Sequence, residues 1–269
     1  MPDVFGANQP AESSGGFPLA KTVRILGIHF FDGSAEEAVE RLCSTGGYVV
    51  VPAAPALVRI ESDEDYRRAL VEADLAIADS GAMVLLWRLL RRQSVSRISG
   101  LRYLQCLAAK LFACEPKHGR VVWVLPSDAA RARTIRWLEA NGFPFTEGDF
   151  YVAPQYGRPV HDPELERLLE QLCPPHLVIG IGGGTQEKLA LSLRERLSYR
   201  PAIHCVGAAL AFLNGDQDPI PRWADKLYLG WLLRLLRQPR LFGPRYLGAF
   251  KLPKLIALYG SELPPLTGR

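Results

Sequence analysis

The sequence predicts an α/β fold: a mostly parallel sheet covered by helices on both faces, with a helical appendage at the C-terminus. Three observations carry that prediction. Short β-branched, apolar runs alternate with longer stretches of helical periodicity from residue 22 to residue 206. One run, DLAIA at 74–78, reads as a short buried strand, and the βαβα order it belongs to implies a mostly parallel sheet covered on both faces. Cap and stop residues stand where the helices must begin and end.

Thr22 to Phe30 is predicted as the first strand. Ser34-Ala35-Glu36-Glu37 is a capping box, in which the serine and the glutamate each satisfy a backbone N–H, and it opens a helix to Cys43. Tyr48 to Val51 is a second strand, followed by a helical pattern from Ala56 to Glu72. Asp74 to Ala78 is a short buried strand with Asp79 at its carboxyl end. Helical patterns run over Gly81–Arg91 and Leu101–Phe112. Val121–Leu125 is a strand, and Ser127 caps a helix that stops at Asn141-Gly142. A strand near Phe145–Phe150, a helix over Asp162–Leu172 and a strand over His176–Ile181 continue the order. The turn Gly182-Gly183-Gly184 leads into a helix over Thr185–Leu197, and Ala202–Val206 is the last strand. The chain thus divides into a polar tail at 1–20, expected to be disordered, an α/β domain at 21–221, an appendage at 222–260 and an end tail at 261–269.

Composition removes several classes. With 48% hydrophobic and 22% charged residues, the chain has enough apolar matter for a large core and does not read as disordered. Its longest apolar stretches, Val49–Val58 and Cys205–Leu213, are far shorter than the ~18–20 residues a membrane span needs. The start lacks the basic and apolar blocks of a signal peptide, and five cysteines without a CxxC pair fit a reduced, cytoplasmic compartment. Charge is unevenly placed: residues 222–260 carry eight Lys/Arg against the single acid Asp225, whereas residues 1–221 carry 23 basic and 26 acidic residues. A polyanion is therefore expected to meet the C-terminal block.

In parallel α/β sheets ligands sit at the carboxyl ends of the strands. That rule selects Asp79, the turn after Ile181 and the stretch beginning at Gly207. The turn reads GIGGGTQEK, in which Gly182, Gly183, Gly184 and Thr185 let a ligand approach the backbone at a helix N-terminus, a place suited to a diphosphate. It is neither a P-loop nor a good GxGxxG, and a tight turn with no ligand is the alternative. Asp79 has two readings, the N-cap of the next helix or a general base at the mouth of the sheet. Asp63-Glu64-Asp65 and Asp216-Gln217-Asp218 have a DxD spacing but read as solvated surface. Histidines 29, 118, 161, 176 and 204 and the cysteines show no metal-ligand spacing, so no metal is expected.

The C-terminal block settles more. Arg222-Trp223 is followed by LYLGWLLRLLRQPRLFGPRY at 227–246, in which Leu, Trp and Tyr are interleaved with Arg234, Arg237, Arg240 and Arg245. It reads either as a core helix with a basic side or as an amphipathic segment on an anionic membrane surface, its arginines also gripping phosphate.

GIGGGTQEK at 180–188, VGAALAFLNG at 206–215 and PRWADKLYLGWLLRLLRQPRLFGPRY at 221–246 together resemble the WecG/TagA/CpsF glycosyltransferases. That family carries a glycine-rich turn ending in Gln-Glu, a Val-Gly-Gly/Ala strand end and a Leu-Glu-Trp-x-x-Arg-Leu tail with later Pro-x-Arg and Arg-Tyr. ADSG at 78–81 and RISG at 97–100 extend the likeness, which covers roughly residues 22–250. The resemblance implies a Rossmann-like, metal-independent, inverting transferase without a cofactor. It would move an N-acetylmannosamine-like sugar from a UDP donor to a polyprenyl-diphosphate-linked acceptor, at the inner face of the cell membrane. It implies Asp79 as base, Gln186 and Arg234 as further catalytic groups, and Arg240 and Arg245 closing on the diphosphate beside Gly182–Thr185 and Gly207. The implied partners are the UDP-sugar, the lipid-linked acceptor and the anionic membrane surface, with no nucleic acid and with self-association left open. The chain departs from the family at Pro52 and Ala54 (Thr-x-Asn), Arg102 (the Asp of Gly-x-Asp), Leu210-Ala211 (Phe-Asp) and Gly230 (the Glu of Leu-Glu-Trp). Those departures keep a non-catalytic descendant that still binds a nucleotide sugar or lipid diphosphate as the alternative. A dinucleotide-dependent oxidoreductase is the other, and it would need an acidic ribose ligand that Ala202–Val206 does not supply.

Overall fold

The computed structural model describes residues 21–113, 119–213, 236 and 248–267. Eight strands form one sheet in the order β1-β2-β4-β3-β8-β7-β5-β6. They are β1 (Thr22–Ile25), β2 (Ile28–Phe31), β3 (Gly47–Val50), β4 (Leu75–Ala76), β5 (Val121–Leu125), β6 (Phe150–Val152), β7 (His176–Ile179) and β8 (Ala202–Cys205). Every neighbouring pair is parallel except β1–β2. The α/β architecture expected from the alternation is therefore the one observed.

Among the described residues the helices are α1 (Ala35–Thr45), α2 (Ala54–Leu57), α3 (Glu64–Val71), α4 (Gly81–Arg91), α5 (Gly100–Ala113), α6 (Asp128–Ala140), α7 (Pro163–Leu172), α8 (Thr185–Arg196), α9 (Ala208–Leu213) and α10 (Leu252–Tyr259). Two cores result, one on each face of the sheet. Leu57, Tyr66, Trp87, Leu165, Leu189, Leu193 and Ile256 pack on one face, and Val39, Leu42, Tyr103, Leu107, Leu138 and Leu210 on the other. All residues of β3, β5, β7 and β8 are buried, which is why their sequences show no polar alternation.

Three elements differ from the sequence expectation. The first strand is a hairpin, because Leu26 and Gly27 both take positive φ (50° and 80°) and reverse the chain in two residues. The helix expected over Ala56–Glu72 breaks after a 3₁₀ turn at Val58–Glu61. Asp63 restarts it by accepting the Tyr66 N–H at 3.1 Å. The strand expected near Phe145–Phe150 begins only at Phe150, because Thr146 and Asp149 form a capping box around a 3₁₀ turn. The capping box at Ser34/Glu37 forms as read, with bonds of 3.1 and 2.7 Å.

The C-terminal residues are integrated into this domain. Leu252, Leu255 and Ile256 of α10 are buried. The Leu26 and Gly27 N–H groups donate to the Gly260 and Ser261 carbonyls at 2.8 and 2.9 Å, and the Thr267 N–H to Glu61 at 2.6 Å. The arginine-rich block at 222–246, including Arg234, Arg240 and Arg245, lies outside the described residues except for Leu236, and so does Asp216-Gln217-Asp218.

Candidate active site

The three sequence-selected places lie along the carboxyl edge of the sheet, after β4, β7 and β8. Asp79 follows β4, and Ser80, not Asp79, caps α4 by accepting the Met83 N–H at 3.2 Å. Asp79 Oδ1 instead accepts the Gly100 N–H at 3.0 Å, across 21 residues, at the start of α5. ADSG and RISG thus form one structural unit. Ile98 N–H donates to the Ala78 carbonyl at 3.2 Å, and Arg97 Nε donates to the Asp79 carbonyl at 2.9 Å. Asp79 remains half-exposed, with one carboxylate oxygen held and the residue open to the edge.

Gly100 joins this unit to the rest of the edge. A Cβ there would meet Val51 Cγ1 at 3.2 Å and Ala209 Cβ at 3.6 Å. Ala209 stands two residues after Gly207, where φ is +49° and a Cβ would meet the Gln186 amide at 3.2 Å. Asp79, Gly207 and Gln186 are therefore linked by successive contacts through Gly100 and Ala209.

The glycine turn divides by role. Gly182 and Gly184 take φ of +109° and +98°, a region where side chains are strained, while Gly183 is exposed and its backbone makes no such demand. A Cβ on Gly184 would run into the Arg59 guanidinium. Thr185 opens α8, and behind it Gln186, Glu187 and Lys188 are all buried. Gln186 is only 2% exposed, and its Nε2 donates to Glu187 Oε1 at 3.2 Å. Its Oε1 is buried and makes no hydrogen bond. Glu187 Oε2 accepts the Gly184 N–H at 2.6 Å. Burial raises the Glu187 pKa, against the lowering effect of these hydrogen bonds and of Arg59.

Lys188 Nζ reaches back to Asp63 at 2.7 and 2.8 Å, and Arg59 Nη2 shares that carboxylate at 2.6 Å. Asp63, expected as solvated surface, is 6% exposed. The reason is topological: α3 packs on α8, so the cap of one helix faces the first turn of the other. Burial pushes the Asp63 pKa up, but Lys188, the Tyr66 N–H and Arg59 together hold it below the ordinary value. Arg59 lies over the Tyr66 ring at 5.3 Å yet keeps 42% of its side chain exposed at Gly184. Sequence reasoning singled out neither Arg59 nor Lys188, since only α3 and α8 packed together give them a shared partner.

At the departure positions, Arg102 is ion-paired with Glu36 on α1, and Leu210 packs over Gly180, where a Cβ would meet its Cδ2 at 2.9 Å. Among the described residues one set of side chains has metal-ligand geometry, Cys43, His176 and His204, and it involves none of the residues above.

A mostly parallel α/β sheet with a half-exposed carboxylate and a glycine-backed helix N-terminus at its carboxyl edge is an architecture shared by many ligand-binding α/β proteins, and the family match narrows it. The chain belongs to the WecG/TagA/CpsF glycosyltransferase family, whose model matches residues 23–264. It is accordingly a glycosyltransferase of cell-surface polysaccharide synthesis. No curated protein matches the chain.

Proposed function

We propose that the protein transfers an N-acetylhexosamine, of the N-acetylmannosamine type, from a UDP donor to a polyprenyl-diphosphate-linked sugar with inversion. The observation carrying this reading is the linked edge: Asp79, Gly207 and the glycine turn strung along one side of the sheet by successive contacts, in a chain that matches the family over nearly its whole length. Asp79 takes the proton of the acceptor hydroxyl as that oxygen attacks the anomeric carbon and the bond to UDP breaks. The diphosphate lies against Gly182–Thr185, where the α8 N-terminus and the exposed part of Arg59 offset the charge that develops on it. Gln186, buried behind Gly207, acts as a positioning residue and offers its unpaired Oε1 to a ligand N–H or O–H. Arg234, Arg240 and Arg245 close over the diphosphate from the C-terminal block.

The acceptor's lipid holds it in a membrane, and no helix among the described residues is long and apolar enough to cross one. Peripheral docking on the inner leaflet is supported by α4 and by α10 packed beside it. They expose Leu85, Leu89, Leu90 and Leu258 next to Arg88, Arg91, Arg92 and Lys254, and neither helix contains an acid. Each such cation near an anionic leaflet is worth ~1 kcal/mol, falling off within a Debye length. Because α10 is part of the core, the tail is tested by replacement in the full chain. Arg234, Arg240 and Arg245 changed together to Gln should abolish transfer and leave the melting temperature unchanged.

The Arg102–Glu36 pair and Leu210 over Gly180 favour a second reading, a binding protein that has lost turnover. Calorimetry with UDP and UDP-sugars, followed by a transfer assay on a lipid-diphosphate acceptor, separates the two. Binding with transfer supports the enzyme and binding without transfer supports the second reading. No heat from any UDP compound overturns the enzyme, and no heat from the lipid-diphosphate acceptor either overturns both.

A further inference from the structure

At the other end of β7, three ligand-type side chains from three elements converge beneath α1 and α5. Cys43 lies in the last turns of α1, His176 opens β7 and His204 sits in β8. One donor atom from each lies within 4.8 Å of the other two. Both histidines are buried and Cys43 is half-buried, so the cluster lies at the margin of the core, with Cys43 its most exposed member. The Tyr103 hydroxyl lies 2.8 Å from His204 Nδ1, which turns Nε2 into the cluster. There Nε2 stands 3.5 Å from His176 Nδ1. That distance is long for a hydrogen bond. It is close to the roughly 3.3 Å edge set by two nitrogens bound at ~2.0–2.1 Å to a tetrahedral zinc.

We propose that Cys43, His176 and His204 bind one zinc ion, tying α1 to the sheet, with Tyr103 as the partner that orients His204. One thiolate and two imidazoles suit zinc rather than magnesium or calcium, which take oxygen ligands. Binding exchanges the Cys43 thiol proton for the ion, so the thiolate cancels one of its two charges. Three protein ligands leave the fourth position for water. From His176 to Gly180 the chain runs four residues, about 13 Å of strand, so the ion stands apart from the transfer chemistry. A ligand set spread over 161 residues of sequence has no spacing signal, and only the pairing of β7 with β8 beneath α1 assembles it.

The test uses full-length protein purified without a metal-affinity tag, stripped with chelator, and titrated with zinc against a chromogenic chelator. One zinc per chain is expected, and cobalt(II) in its place should give a thiolate-to-cobalt charge-transfer band. Cys43→Ser should lose the band, and Tyr103→Phe should weaken zinc by ~10–100-fold, the usual cost of losing such an orienting partner. Zinc should raise the melting temperature of the unmodified protein and leave that of Cys43→Ser unchanged. Absence of stoichiometric uptake by the unmodified protein overturns the proposal, and needs no variant to fold. So does a Cys43→Ser variant that binds zinc as tightly and gives the same cobalt spectrum.

Discussion

The turn after β7 and the loop after β4 stand on the same edge of the sheet but are held in different ways. The turn rests on buried polar groups: Glu187 accepting the Gly184 N–H, and Lys188 locked to Asp63 and, through it, to Arg59. The loop rests on Asp79 itself, which accepts one N–H from the start of α5 and stays half-exposed. A backbone surface that receives a diphosphate gains from rigidity, because its donors must already point at the developing charge. A base that takes a proton from a mobile acceptor must instead stay accessible. Under the proposed mechanism the polar residues of the turn would maintain structure, and the carboxylate of the loop would perform the chemistry.

Separating those roles gives the largest expected effect. Asp79→Asn keeps an oxygen for the Gly100 N–H but removes the proton acceptor, so turnover should fall by ~10²–10⁴-fold. The melting curve should not move. Near-full turnover in the variant would make Asp79 a cap for α5 and nothing more.

The converse change belongs to the turn. Lys188→Met leaves the buried Asp63 carboxylate with Arg59 and the Tyr66 N–H but without its buried cation, so the loss should be substantial yet below the ~3–5 kcal/mol of a fully stranded buried charge. Urea unfolding should show that loss. Asp63→Asn combined with Lys188→Met should recover part of it, because no buried charge is then stranded. If the single variant unfolds at the unmodified protein's urea midpoint, the contrast between the two regions fails.

Acid separates the two carboxyls of the turn from each other. Asp63 is held below its ordinary pKa, so its contribution is complete above about pH 4 and is lost as pH falls through the lowered value. Glu187 is raised by burial, so the folded state keeps a proton that the unfolded state releases. Stability therefore declines as pH rises from about 4.3 through the raised value. Glu187→Gln should flatten that decline. Asp63→Asn should instead remove stability at neutral pH. Urea midpoints taken across the acid range check both signs.

How much of this was legible in the sequence follows from the range of each interaction. The capping box at Ser34, the cap at Ser127 and the stop at Asn141-Gly142 act within a few residues, and they appear where the sequence places them. Asp79, Gly182, Gly184 and Gly207 were legible because strand ends and glycines mark the edge of a parallel sheet. Asp63 was misread as surface and Arg59 passed over, because their partner Lys188 is 125 residues from Asp63 and meets it only when α3 packs on α8. The hairpin at Leu26-Gly27 was missed for a related reason: the C-terminal carbonyls of Gly260 and Ser261, far along the chain, complete its turn.

The smallest expected effect tests whether the turn's rigidity serves a ligand at all. Gly184→Ala is uninformative, since its positive φ and the Arg59 guanidinium both resist a Cβ, and any loss would mix folding with binding. Gly183 is free of both constraints. It is exposed, its φ is ordinary, and an added Cβ would meet nothing nearer than Glu187 Oε1 at 3.8 Å. Gly183→Val should thus shift stability by no more than ~0.5 kcal/mol, as surface substitutions generally do. Its isopropyl group would nevertheless stand where a diphosphate must approach the backbone. Calorimetry should then show UDP binding weakened by about tenfold, or ~1.4 kcal/mol. Unchanged binding in a protein of unchanged stability would mean that the turn is rigid for the fold's own sake, and that the diphosphate lies elsewhere on the edge.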